Sequence, residues 1–146
     1  MIVLVDVDHT ISDAGWRDFL LGNWDRYHRA ASDDDPIQEV IDAILAMQKA
    51  GARLFGLTAR PGKYRAMTEK WLHLHGVQFD EMLMRDDEGF HPSPQMKMKL
   101  VLGRFPDLYA EPIIILDDRE DVAEAFWKIG ITVFQVHARK GKEHWA

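Results

Sequence analysis

Cysteine is absent from this 146-residue chain, proline occurs only 6 times, and no apolar stretch is long. Without thiols, disulfide scaffolds, Cys-ligated zinc, iron–sulfur clusters and thiol nucleophiles are excluded. The leading apolar run, Ile2 to Val5, is followed at once by Asp6 and Asp8, so it is neither a signal-peptide core nor a membrane span. A cytoplasmic chain with no membrane partner is expected. Positive charge is also in short supply: 18 Lys+Arg against 24 Asp+Glu give −6, which argues against nonspecific coating of nucleic acid. Repeats, low-complexity tracts and Pro/Gly/Ser linkers are missing, so no domain boundary is expected. The length and the 47% apolar content suit one domain over residues 1–146, able to bury a core.

Charge is distributed unevenly. Residues 1–50 carry 4 basic and 10 acidic side chains, residues 51–100 carry 8 and 6, and residues 101–146 carry 6 and 8. Only the middle third is net positive, which marks it for an anionic ligand unless those charges are simply solvated helix faces.

Short β-rich runs alternate with stretches of helical period. Strands are predicted at Ile2–Val5, Arg53–Leu57, Phe79–Met84, Pro112–Leu116 and Ile131–Val136. Ile37, Val40, Ile41, Ile44, Leu45 and Met47 keep helical spacing after Asp35-Pro36, and Gly51 closes that helix. Further helices are predicted from about Pro61 to His75, over Gln95–Leu102 and over Glu120–Ile129, with Gly76 and Gly130 ending the first and last of these. Strands apolar on both faces, alternating with helices, imply an α/β fold around a mostly parallel sheet. Such sheets bind ligands beyond the carboxyl ends of their strands.

Those ends carry the polar residues. Asp6, Asp8, His9 and Thr10 follow the first strand, Thr58-Ala59-Arg60 the second, and Asp117-Asp118-Arg119 the fourth, while Lys97 and Lys99 open a helix between the third and fourth. Each group has an ordinary reading as a loop start or a helix cap. Together, in this order, they put four carboxylates, a hydroxyl and a lysine at one edge. Two carboxylates about 4 Å apart repel by roughly 4 kcal/mol at an effective dielectric near 20, so the group needs a cation. Hard oxygen donors without His or Cys favour Mg²⁺, which keeps coordination sites for substrate phosphate. Thr58 and a lysine suit phosphoryl oxygens.

These residues resemble the haloacid dehalogenase (HAD) superfamily of phosphotransferases: Asp6, Asp8 and Thr10 in Asp-x-Asp-x-Thr, Thr58 ending the second strand, a lysine, and the pair Asp117-Asp118. Lys63–Trp71, Met84-Arg85, Leu116–Arg119 and Trp127–Val136 are similar to the 3′-phosphatase domain of bacteriophage polynucleotide kinases. The family's Arg, turn, Pro, Lys run is matched by Arg85, Gly89, Pro92 and Lys97, which favours Lys97 over Lys99. Three departures stand out. His9 replaces the usual glycine, no GxxxxGK[ST] kinase loop occurs, and there is no room for a large cap, residues 11–35 forming at most a small helical flap.

The resemblance implies a Rossmann-like three-layer sandwich and a phosphoric monoester hydrolase. Asp6 would be the nucleophile, forming an aspartyl-phosphate, and Asp8 the acid and base. Asp6, the Asp8 carbonyl and Asp118 would hold Mg²⁺, with Asp117 acting through water, while Thr58 and Lys97 would bind substrate oxygens. Arg60 and Arg119 would reach substrate or pair with the carboxylates. Trp16, Trp24 and Tyr27 would stack on a base or pack the flap. His73 and His75, two apart on a helix, make a poor ligand pair, and His137 is given no role. The implied substrate is a 3′-phosphate at a nucleic-acid end; the alternative is a 5′(3′)-nucleotidase acting on free (deoxy)nucleoside monophosphates. A phospho-accepting signalling domain would place its lysine last, whereas Lys97 precedes Asp117-Asp118.

Overall fold

Four consecutive apolar residues, Ile2–Val5, form strand β1 at the centre of a five-stranded sheet. A strand buried on both faces has no polar side to alternate with, and all four residues are buried. The structure is a computed structural model that describes residues 1–89 and 91–138; residues 139–146, the end of the span expected to form one domain, lie outside them. The other strands are β2 (Ser12–Asp13), β3 (Asp35–Pro36), β4 (Arg53–Pro61), β5 (Glu81–Arg85), β6 (Ile113–Asp117) and β7 (Thr132–Gln135). The helices are α1 (Trp24–Arg29), α2 (Gln38–Lys49), α3 (Arg65–Leu74), α4 (Ser93–Arg104) and α5 (Glu120–Lys128).

The large sheet has the order β5-β4-β1-β6-β7 and is parallel throughout. Alternation along β1 sorts its side chains into two layers. Val3 and Val5 join Ile41 and Ile44 of α2 and Trp71 and Leu72 of α3. Ile2 and Leu4 join Val101 of α4, neighbouring Phe105, and Val122 and Phe126 of α5. Helices therefore cover both faces, giving the three-layer α/β sandwich expected. Strand β4 runs four residues past Leu57, with a register shift between Thr58 and Pro61. The segment expected to begin a helix at Pro61 opens instead with a 3₁₀ turn over Gly62–Tyr64.

Helix α3 ends as its glycine predicts. Gly76 takes φ +74°, its N–H donates to His73 O at 3.1 Å, and Val77 N–H donates to Leu72 O at 2.9 Å, the paired bonds of a Schellman cap. Equivalent pairs close α2 and α5.

Residues between β1 and α2 leave the sheet as a helical excursion. It contains 3₁₀ turns at Gly15–Leu20 and Ala30–Asp33 on either side of α1. Its ends are tied together: β2 pairs antiparallel with β3, and Ile37 N–H donates to Ile11 O at 2.8 Å. Among the described residues, no helix is long and apolar enough to cross a membrane.

Candidate active site

The carboxyl ends of β1, β4 and β6 open into a cleft of about 620 Å³, whose lining includes Asp6, Asp8, Lys97 and Asp118. Asp6 is buried at the end of β1 with both oxygens engaged. Lys97 Nζ donates to Oδ1 at 3.0 Å, and Thr10 Oγ1 donates to Oδ2 at 3.1 Å. The loop that returns Thr10 to Asp6 turns at His9, whose φ of +64° lies in the left-handed region. That region costs an ordinary residue about 1–2 kcal/mol, so the departure from the usual glycine is a strained one.

Lys97 is wholly buried and bridges two carboxylates, donating also to Asp117 Oδ2 at 2.6 Å. Burial opposes its charge, but Asp6 and Asp117 more than restore it, so its pKa is raised. Lys99, its rival, is exposed. Asp117 also accepts from the Arg119 backbone N–H at 3.0 Å, the bond that turns the chain from β6 into α5. Oxygen atoms of Asp6, Asp117 and Asp118 lie within 4.8 Å of one another. One lysine does not balance three carboxylates. Burial and the charge of Asp6 push Asp117 up to about 6 and Asp118 up to about 8. An all-carboxylate donor set short of positive charge fits a hard divalent cation such as Mg²⁺.

The four carboxylates expected to form one group divide three and one. Asp8 turns its side chain the other way, onto two arginines. Arg17 Nη2 donates to Asp8 Oδ1 at 2.7 Å and Arg60 Nη2 to the same oxygen at 2.7 Å. Burial opposes ionisation of Asp8, yet Arg60 and then Arg17 outweigh it and hold the carboxyl well below its usual range. The arginines are themselves countered by Asp34, which accepts from Arg17 Nε at 2.9 Å and Arg17 Nη2 at 2.8 Å, and lies 3.7 Å from Arg60 Nη2. Arg17, Arg60 and Asp34 are fully buried. A buried charge without a partner is prohibitively costly, so this alternating network of two arginines and two aspartates is neutral for a physical reason.

Arg17 and Asp34 were not among the expected site residues. Their signal was faint: Arg17 is one of only 4 basic side chains in the acidic first third, and Asp34 sits inside Asp33-Asp34-Asp35. Arg60, weighed between substrate contact and pairing with carboxylates, has its guanidinium on Asp8 and on Thr68 Oγ1, the latter at 3.1 Å. Thr58 is buried, and its Oγ1 accepts from Arg60 N–H at 3.2 Å. Arg119 lies at the cleft but is exposed and paired with Asp121 at 2.7 Å. Of the aromatics, Trp16 donates to Asp34 Oδ1 at 2.8 Å and Tyr27 packs under Arg17 at 4.3 Å, whereas Trp24 is exposed. His73 and His137 are exposed, and His75 leans on Trp71 with ring centroids 4.4 Å apart.

A parallel sandwich with acidic residues at the ends of β1 and β6, a threonine towards the end of β4 and a buried lysine defines a HAD-like phosphatase. More narrowly, residues 1–140 match the model of the polynucleotide kinase PNKP phosphatase domain, and the chain belongs to that family. Two solved structures, of the Pnkp1/Rnl/Hen1 complex and of the Pnkp1/Rnl/Hen1 RNA repair complex, contain similar chains. Both share 25% identity; the TM-scores are 0.76 and 0.78, over 92% and 97% of this chain. This chain spans less than half of those relatives, 45% and 43%. The magnesium-bound HAD-hydrolase YfnB of Bacillus subtilis shares the fold at 16% identity, TM-score 0.70, over 93% of this chain and 88% of that one. No curated protein matches the sequence.

Proposed function

We propose that this phosphatase is a Mg²⁺-dependent phosphomonoesterase that removes 3′-phosphates from nucleic-acid ends through an aspartyl-phosphate on Asp6. The observation that carries the reading is the Asp6 carboxylate itself, buried at the cleft floor with one oxygen on Lys97 and the other on Thr10. A nucleophile held this way has lost its rotational freedom and faces the cleft in one orientation. Asp6 and Asp118, with Asp117 and the Asp8 backbone carbonyl, would hold Mg²⁺, which when bound supplies positive charge for the phosphoryl oxygens.

The chain's own groups carry the steps. An Asp6 oxygen attacks phosphorus in line, the bond to the sugar oxygen breaks, and Asp8 gives that oxygen a proton. Water then attacks the phosphorus of the acyl phosphate, Asp8 takes the proton, and inorganic phosphate leaves as Asp6 is restored. Thr58 and Lys97 hold nonbridging oxygens. Arg17 and Arg60 keep Asp8 ionised in the free protein, the form needed for the second step. For the first, the incoming phosphate dianion offsets the arginines and favours the protonated form.

Family membership supports the polynucleotide end as substrate. The net charge of −6 favours the second reading, a nucleotidase on free (deoxy)nucleoside monophosphates. Parallel assays with Mg²⁺ on a 3′-phosphorylated oligonucleotide and on deoxynucleoside monophosphates separate them; faster turnover of the monophosphates would reverse the order. Asp6→Asn should abolish turnover with the fold intact, and an active Asp6→Asn protein would end the mechanism.

A further inference from the structure

The excursion places three rings in a row along the cleft that holds Asp6. Trp24 and His28 stack at 6.1 Å with 29° between their planes, and His28 continues onto Tyr64 at 4.9 Å and 34°. All three line the cleft. Tyr64, from the turn before α3, donates its hydroxyl to Asp25 Oδ1 at 2.7 Å, so the row is clamped between the excursion and the body of the protein. Its outer member differs from the other two. Trp24 is 58% exposed, and neighbouring Leu21 is 53% exposed on the same cleft.

An indole belonging to neither core cluster, stacked on His28 and met at right angles by Tyr27 at 5.5 Å, still has more than half of its surface open to a ligand. Flat rings prefer a flat partner stacked with offset, and nucleobases stack on aromatic side chains whatever their sequence. The same cleft also receives Arg85, whose guanidinium is held by carbonyl oxygens rather than a carboxylate: Ala59 O at 3.1 Å and His91 O at 2.7 Å. Among the described residues no carboxylate pairs with it, so its positive charge is left for an anion. A stacking face and an uncompensated guanidinium, both in the cleft of the phosphoryl site, match a nucleotide with its base on one and a phosphate near the other.

We infer that Trp24 is a nucleobase-stacking residue, which sets the preference of this phosphatase for substrates whose phosphate is attached to a nucleoside. The inference rests on the phosphomonoesterase reading for its site but makes a separate demand. Trp24→Ala should raise KM about ten-fold, equivalent to about 1.4 kcal/mol at 25 °C, for a 3′-phosphorylated oligonucleotide and for a deoxynucleoside 3′-monophosphate. Its kcat should be unchanged, and so should both constants for glycerol 2-phosphate, which has no base. Trp24→Phe should restore most of the loss. An effect confined to the oligonucleotide would assign the platform to a strand end, and one confined to the monophosphate to a free nucleotide.

An equal change on glycerol 2-phosphate, or none on either base-bearing substrate, overturns the inference. Fluorescence anisotropy of a labelled 3′-phosphorylated oligonucleotide bound to Asp6→Asn, with and without Trp24→Ala, reads the platform without turnover; an unchanged Kd overturns it too. Should the wild type hydrolyse no phosphomonoester at all, the functional reading falls, while the anisotropy comparison still decides the role of Trp24.

Discussion

Lys97 is the sole side-chain cation within hydrogen-bond reach of Asp6 or Asp117 among the described residues. Deleting one partner of a buried ion pair costs about 3–5 kcal/mol. Lys97→Met should therefore lose about 3 kcal/mol in urea unfolding without divalent cation, and less with Mg²⁺ present, because a cation binding only the folded state offsets the deficit. His28 provides a pH signature. Burial, followed by Arg60 and Arg17 against the attraction of Asp8, lowers it from the ordinary 6.5 to about 4. The unfolded chain then binds the proton more readily, so stability contributed by neutral His28 is complete above pH 6.5 and drains away as pH falls towards 4. His28→Phe keeps the stack and should flatten the urea midpoint over that window relative to wild type. At His9, substitution by glycine relieves the left-handed strain but adds chain entropy; a net gain of up to about 1 kcal/mol is expected by the same measurement. Much of this site was legible: Asp6, Asp117 and Asp118 sit at strand ends that hydropathy locates, Thr10 follows in the same loop as Asp6, and the family's Arg, turn, Pro, Lys run separates Lys97 from Lys99. Arg17 and Asp34 were not. Their roles come from long-range charge balance, and sequence spacing carries no record of which buried charges will meet.

At the scale of elements, the excursion is the part least like a regular secondary structure and the most tightly fastened by charge. Asp34 fastens two residues of it and one of the body: Arg17 and Trp16 through its carboxylate, and Trp71 of α3 through its carbonyl oxygen at 2.9 Å. Asp34→Ala would leave Arg17 and Arg60 facing Asp8 alone. A loss of about 3–5 kcal/mol follows from the uncompensated buried charge, and should be read as a lowered urea midpoint at pH 7. Strands β1, β6 and β7 and helices α2 and α5 lie within two residues of where the apolar runs and their glycine stops put them. Helix α3 starts later than its pattern because Thr58 to Pro61 continue the sheet beside β5, a pairing that depends on the neighbouring strand. The excursion gave only composition to read, since 3₁₀ turns and two-residue strands have too short a period to register.

For the whole molecule, the division of labour is between a sandwich that aligns the carboxylates and lysine of the cleft and an insertion that walls them in. The network joining Asp8, Arg17, Asp34 and Arg60 crosses that boundary: Asp8 and Arg60 belong to the sheet edge, Arg17 and Asp34 to the insertion. Swinging the insertion away would break the Arg17–Asp8 bridge at 2.7 Å and part Arg60 from Asp34, leaving Arg17–Asp34 and Arg60–Asp8 as two separate pairs open to water. The wall is fastened to the body at several points, through Arg17 to Asp8, Trp71 to Asp34 O and Tyr64 to Asp25. The backbone amides of Ile11, Asp34 and Ile37, each bonded to a carbonyl oxygen, should be strongly protected from hydrogen exchange. Rapid exchange there, under conditions where the sheet stays protected, would mean that the insertion opens on its own.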